Sequence, residues 1–115
     1  MSETKNLTNL QLITCIVERG KADEVVKAAR EAGAPAATIF YARGTGIRER
    51  LHGLLKIAIS PEKEVIYVLI QESMIDQVFQ AMADAGQLAL PAKGIIFVTP
   101  VLRALTHVES QAASS

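Results

Sequence analysis

The chain has 115 residues, half of them hydrophobic, enough for one domain with an aliphatic core and no need of a disulfide or structural metal. Twelve basic residues balance twelve acidic ones, which argues against a nucleic-acid binder, a class that carries basic excess to neutralise phosphates. The single cysteine, Cys15, excludes an internal disulfide and fits a reducing compartment.

The polar start, MSETKNLTN, has no apolar core of the kind a signal peptide needs, so residues 1–9 are expected to be a flexible lead. No apolar run reaches the roughly 20 residues that span a bilayer, and the expectation is a cytoplasmic domain with no direct membrane insertion. From residue 10, LQLITCIV is apolar and β-branched, the mark of a strand. A helix-period segment follows, with Val25, Val26, Ala28, Ala29 and Ala32 along one side and Gly33 placed to close it in left-handed conformation. ATIFYARG is the second strand.

A connection of about twenty residues runs from Gly44 to Glu64 before the third strand, EVIYVLI. The second helix places Ile75, Val78, Phe79, Met82 and Ala85 on one face. Ser73 and Asp76 have capping-box spacing, Gly20 with Asp23 is a weaker version, and Gly86 stands where a left-handed closing residue is expected. GIIFVTPV is the fourth strand. Residues 108–115, ending in ESQAASS, read as a disordered tail.

The two halves share one layout, with Asp23 to Gly33 repeated as Asp76 to Gly86. This is a βαββαβ, ferredoxin-like α+β pattern: a four-stranded antiparallel sheet with both helices on one face, in a single domain over residues 10–107. Its strands are apolar at nearly every position, so the face away from the helices also calls for burial, and a homo-oligomer is expected.

In the long connection Arg43, Arg48, Arg50 and Lys56 outnumber Glu49, and arginine forks match phosphate or carboxylate oxygens. Gly44-Thr45-Gly46 would let main-chain amides approach an anion, although the same tripeptide marks many ordinary turns. Leu51, Leu54 and Leu55 make the middle apolar. That segment either folds back onto its own or a neighbouring subunit, or docks on a partner protein.

Thr38 followed at fixed spacing by Gly44 and Gly46, together with the repeat and the closing KGIIFVTPV, resembles the PII-like signalling proteins. The resemblance implies a homotrimer that binds an adenine nucleotide in clefts between subunits. It also implies a regulatory protein, not an enzyme, whose long T-loop (about 43–63) controls a target enzyme or membrane transporter. Carried over by position, Thr38 lies near the adenine and Gly44, Thr45 and Gly46 line the cleft. Lys93 with Gly94 meets phosphate oxygens, and Arg103 reaches in from the chain's end across the interface.

The departures narrow the reading. The family's glycine-rich phosphate stretch reads AGQLALPAKG here, which disfavours tight triphosphate binding and admits ADP or AMP beside ATP. Arg48 stands at the position nearest to a glutamine that holds a magnesium chelate, so magnesium stays open, and Arg48 or Arg50 could contact an anionic effector directly. Tyr41 and Tyr67 fall on strands, so the loop has no tyrosine to modify.

Two alternatives share the fold. An acylphosphatase-like hydrolase needs an anion cradle with an arginine just after the first strand, of which Arg19-Gly20 is the only fragment. A CutA-like metal-responsive trimer would need ligands, and neither His52 nor His107 has an acid or cysteine at ligand spacing. Cys15 reads as core, Asp23 and Glu24 as helix-start charges, and Glu62, Lys63 and Glu64 as a solvated shoulder.

Overall fold

Apolar alternation and two helical repeats resolve into the expected α+β architecture in the computed structural model, which describes residues 2–44 and 62–109. In chain order the elements are β1 (Ser2–Leu7), β2 (Leu10–Glu18), α1 (Ala22–Glu31), β3 (Thr38–Arg43), β4 (Glu62–Gln71), a 3-10 turn (Glu72–Met74), α2 (Ile75–Ala85), β5 (Gly94–Pro100) and β6 (Ala104–Glu109). Four strands form one sheet in the order β3-β4-β2-β5, each pair antiparallel.

The core lies between this sheet and the helices. Ile13, Cys15 and Val17 from β2 and Ile66, Val68 and Ile70 from β4 meet Val25 and Ala29 of α1 and Val78 and Met82 of α2. Each large aliphatic so buried stabilises by about 1.5–3 kcal/mol, which makes this layer the main source of stability. Burial also pushes the Cys15 thiol up to about 11, as expected where the thiolate cannot be hydrated. The two helices are tied at one end by Gln77, whose Nε2 donates to the Ala32 carbonyl at 2.8 Å.

Helix α1 closes as its sequence suggests. Gly33 has φ +116°, its amide donates to the Arg30 carbonyl, and Ala34 N donates to Ala29 O, the paired bonds of a Schellman end. Helix α2 closes with the same two bonds one residue later: the left-handed residue is Gln87 (φ 55°), while Gly86 stays right-handed. Gly86 is small for another reason, since a Cβ there would sit 3.2 Å from Leu88 Cγ. The expected capping boxes are absent, with no side-chain cap at either helix start. Around the second, the Glu72 amide that opens the 3-10 turn is satisfied by the Asn9 carbonyl at 2.8 Å.

The face away from the helices is apolar, as the doubly hydrophobic strands require. One row across it holds Phe40, Val65, Ile16 and Ile95, and the next Thr38, Tyr67, Thr14 and Phe97. Thr14 and Val65 at its centre are buried, whereas Phe40, Tyr67, Phe97 and Ile95 remain exposed. Phe40 meets Tyr67 edge-on with ring centroids 5.1 Å apart.

The chain ends differ from expectation. Ser2–Leu7 is a strand rather than a flexible lead, and pairs antiparallel with Ala104–Glu109 as a separate two-stranded sheet. Val108 and Glu109, assigned to the tail, belong to this ladder; residues 110–115 lie outside the described ones. Main-chain pairing holds the ribbon together, and main-chain hydrogen bonds leave no trace in a hydropathy pattern.

Candidate functional site

The strands that flank the long connection end face to face: Arg43 of β3 registers with Glu62 of β4. Gly44 follows, with nothing within 4 Å of where a Cβ would stand. Its glycine is therefore not demanded by packing. Thr45, Gly46, Arg48 and Arg50 lie outside the described residues, as do Leu51, Leu54, Leu55 and His52. Thr38 opens β3, exposed on the apolar face opposite Tyr67.

Lys93 ends the turn between α2 and β5. That turn uses left-handed backbone at Gln87 and Ala92, both residues that carry a Cβ. Leu88 fills its interior, packed between Gly86 and Gly94. Gly94 has φ +136°, and a Cβ there would overlap the Ile16 carbonyl oxygen. Its first role is thus to let β5 run close beside β2.

Among the described residues, Gly44, Lys93 and Arg103 do not form one pocket within a subunit. Tyr41, Glu64, Val17 and Gly94 share a row, so Gly44 and Lys93 lie at the same end of the sheet but on its two outer strands, about 14 Å apart at ordinary strand spacing. Arg103 follows β5, whose last residue, Pro100, registers with Gln11 at the far end. The length of β5, about 20 Å at ordinary rise, separates Arg103 from Lys93.

At the loop end the structure assembles a cluster that the sequence reading scattered. Arg19 Nη1 bonds the Glu62 carboxylate at 2.8 Å, and its guanidinium lies 5.8 Å from the Tyr41 ring centroid. The hydrogen bond to Glu62, and then its charge, raise the Arg19 pKa further above its ordinary value. Glu64 is buried rather than a solvated shoulder; its Oε1 accepts from Gly20 N at 2.6 Å and Ala22 N at 3.0 Å. The groups an acylphosphatase-like cradle would use, the Arg19 guanidinium and the neighbouring amides, are thus engaged by Glu62 and Glu64. Among the described residues no three His, Cys, Asp or Glu side chains are grouped to hold a metal ion. No described helix is long and apolar enough to cross a membrane.

The model of the family described as nitrogen regulatory protein P-II matches residues 10–108. The chain belongs to the PII family. A solved structure, that of Arabidopsis thaliana PII bound to citrate, is similar with a TM-score of 0.62 and 19% identity, over 81% of this chain and 78% of that one. At that identity the likeness shows the fold. Among curated proteins no match is found. As a PII-family member the chain is a PII-like regulatory protein, and its four-stranded sheet with two helices is the family's ferredoxin-like fold. Strand β1 lies outside the matched residues.

Proposed function

We propose that three copies pack with their apolar sheet faces inward and bind an adenine nucleotide in each seam. The ligand is ADP, AMP or ATP, and its occupancy sets the state of the T-loop that controls a partner enzyme or transporter. The observation that carries the reading is the separation of Arg103 from Gly44 and Lys93 along the sheet. A second subunit is needed to return an arginine from the far end to a phosphate held near Lys93. Thr38, beside Tyr67 on the interface face, is suited to the base. The adenine ring would meet apolar and aromatic neighbours there, and the phosphates would meet Lys93, Gly44 and Arg103. Arg48 and Arg50 are suited to an anionic effector, and Leu51, Leu54 and Leu55 to the partner protein.

A ligand shifts the loop only by its difference in affinity for the loop's two states. Calorimetry with ATP, ADP, AMP and cyclic AMP, with light scattering for mass, tests the reading. Three subunits per particle and one nucleotide site per subunit are expected. A monomer that takes up none of the four would overturn it.

A further inference from the structure

We propose that the β1–β6 ribbon is an assembly arm that rests on a second copy of this chain through Leu102 and Leu105; this deepens the trimer reading above and rests on it. Three observations lead here. First, strand β1 pairs along its whole length, from outside the residues that the family model matches, with β6, a strand that lies almost wholly within them.

Second, the ribbon is a sheet of its own, separate from the four-stranded unit. A lone two-stranded ribbon is marginal in water and needs a third surface. Among the described side chains, its own subunit supplies such a surface at the root, where Leu7 lines an apolar cavity of about 410 Å³ with Leu10, Leu69 and Met74. Further along, Leu105 is 66% exposed, and Leu102, in the bend before β6, is 93% exposed. Two large aliphatic side chains at such exposure, one on β6 and one in the bend that leads into it, mark a surface to be covered.

Third, the occupant follows from continuity. The ribbon leaves from the ends of β2 and β5, joined there by the Val101 amide bonded to the Leu10 carbonyl. Those strands carry Leu12, Ile16, Ile95 and Phe97 of the apolar face assigned to the subunit interface. Arg103, assigned to a neighbour's cleft, sits between Leu102 and Ala104. An arm with that root and that neighbour lies against the next subunit, and a head-to-tail contact of this kind closes a ring of three.

The test compares the unmodified 115-residue chain with three double variants, studied by sedimentation and light scattering over a dilution series, with circular dichroism to confirm the fold. Leu102→Glu with Leu105→Glu removes the apolar contact. Thr4→Pro with Lys5→Pro breaks the ladder, because successive residues alternate in pointing their N–H groups to the partner strand. Ile95→Glu with Phe97→Glu disrupts the sheet face. Both arm variants are expected to keep the subunit fold and to dissociate at a protein concentration at least tenfold above that of the unmodified chain. A trimeric unmodified chain whose arm variants dissociate at the same concentration would overturn the arm alone. An unmodified chain that is monomeric throughout would overturn the trimer reading, and the arm with it.

Discussion

The Glu64 carboxylate and the Ala22 amide, 3.0 Å apart, join the strand that leaves the long loop to the first turn of α1. The same oxygen takes the Gly20 amide at 2.6 Å. Helix α1 has no side-chain cap of its own, so this acceptor from β4 replaces the Ser, Thr or Asp that helix starts ordinarily use. Because Arg19 is held by Glu62 two residues earlier, the whole turn from Arg19 to Ala22 is anchored to the loop's exit strand.

Glu64→Ala is therefore expected to cost about 2 kcal/mol, the upper part of the range for a lost cap, since it strands two amides. Glu64→Gln keeps an acceptor oxygen and should lose about half as much. Urea unfolding measures both: the alanine midpoint should fall by roughly 1 M if the slope is that of a small domain. An unchanged midpoint would show that water replaces the carboxylate at no loss.

Cys15 yields a prediction in pH. Its thiol is pushed from 9.0 to about 11 by burial, so in the native state it resists deprotonation where the unfolded chain's thiol does not. A pKa raised on folding contributes stability that is complete below pH 9 and is lost as pH rises towards 11. Stability of the native chain should fall across that window more steeply than that of Cys15→Ala. Iodoacetamide at pH 8 should leave the native protein unmodified while labelling it in urea. Rapid labelling of the native chain would contradict the burial.

How much the sequence revealed depended on where each partner lay. The strands and helix faces were legible because their periodicity is local: Val25 and Ala29, or Val78 and Met82, recur at helical spacing and do face the core. Gly33 was legible as a left-handed closure for the same reason. Glu64 was misread because its partners lie far back in the chain, so local polarity suggested solvent. Ribbon strand β1 was missed because its ladder partner, β6, lies at the other end of the chain, and backbone pairing over that distance leaves no local periodicity. The residue types proposed for the site gave no hint of their placement, since Gly44, Lys93 and Arg103 lie on different edges and ends of one sheet.

The two helix ends offer a stabilising substitution. Gln87 holds a left-handed conformation that costs a residue with a Cβ about 1–2 kcal/mol. Glycine would relieve it, less about 0.5–1 kcal/mol of added unfolded-state freedom. Gln87→Gly should raise the melting temperature by a few degrees, whereas Gly86→Ala, which crowds Leu88, should lower it. Equal melting temperatures for the two would mean that the repeat's glycine and its neighbour are interchangeable.

Gly94 and Gly44 separate packing from binding. Alanine at Gly94 would meet the Ile16 carbonyl in a backbone conformation that L residues rarely adopt, a cost of about 3 kcal/mol or more. Alanine at Gly44 meets open space and should change stability by less than about 0.5 kcal/mol. If the Gly44 amide lines the nucleotide cleft, Gly44→Ala should weaken nucleotide binding at unchanged melting temperature. A destabilised Gly44→Ala would instead assign that glycine to the fold.

Lys93 and Arg103 give the sharpest consequence of a shared site. A charge-assisted contact to phosphate is worth about 1.5–3 kcal/mol, so Lys93→Ala or Arg103→Ala alone should weaken nucleotide binding some 10–100-fold in every cleft. If the two residues reach one phosphate from different subunits, the defects fall on opposite sides of the seam. Unfolding the two variants together and refolding them as an equal mixture then rebuilds intact seams, about one in four in a randomly assembled ring of three. Calorimetry on the mixture should recover a tight-binding fraction near that proportion, which neither variant shows alone. A mixture no better than its components would place both charges on the same side of the seam, or outside it, and Arg103 would then lose its part in the cleft.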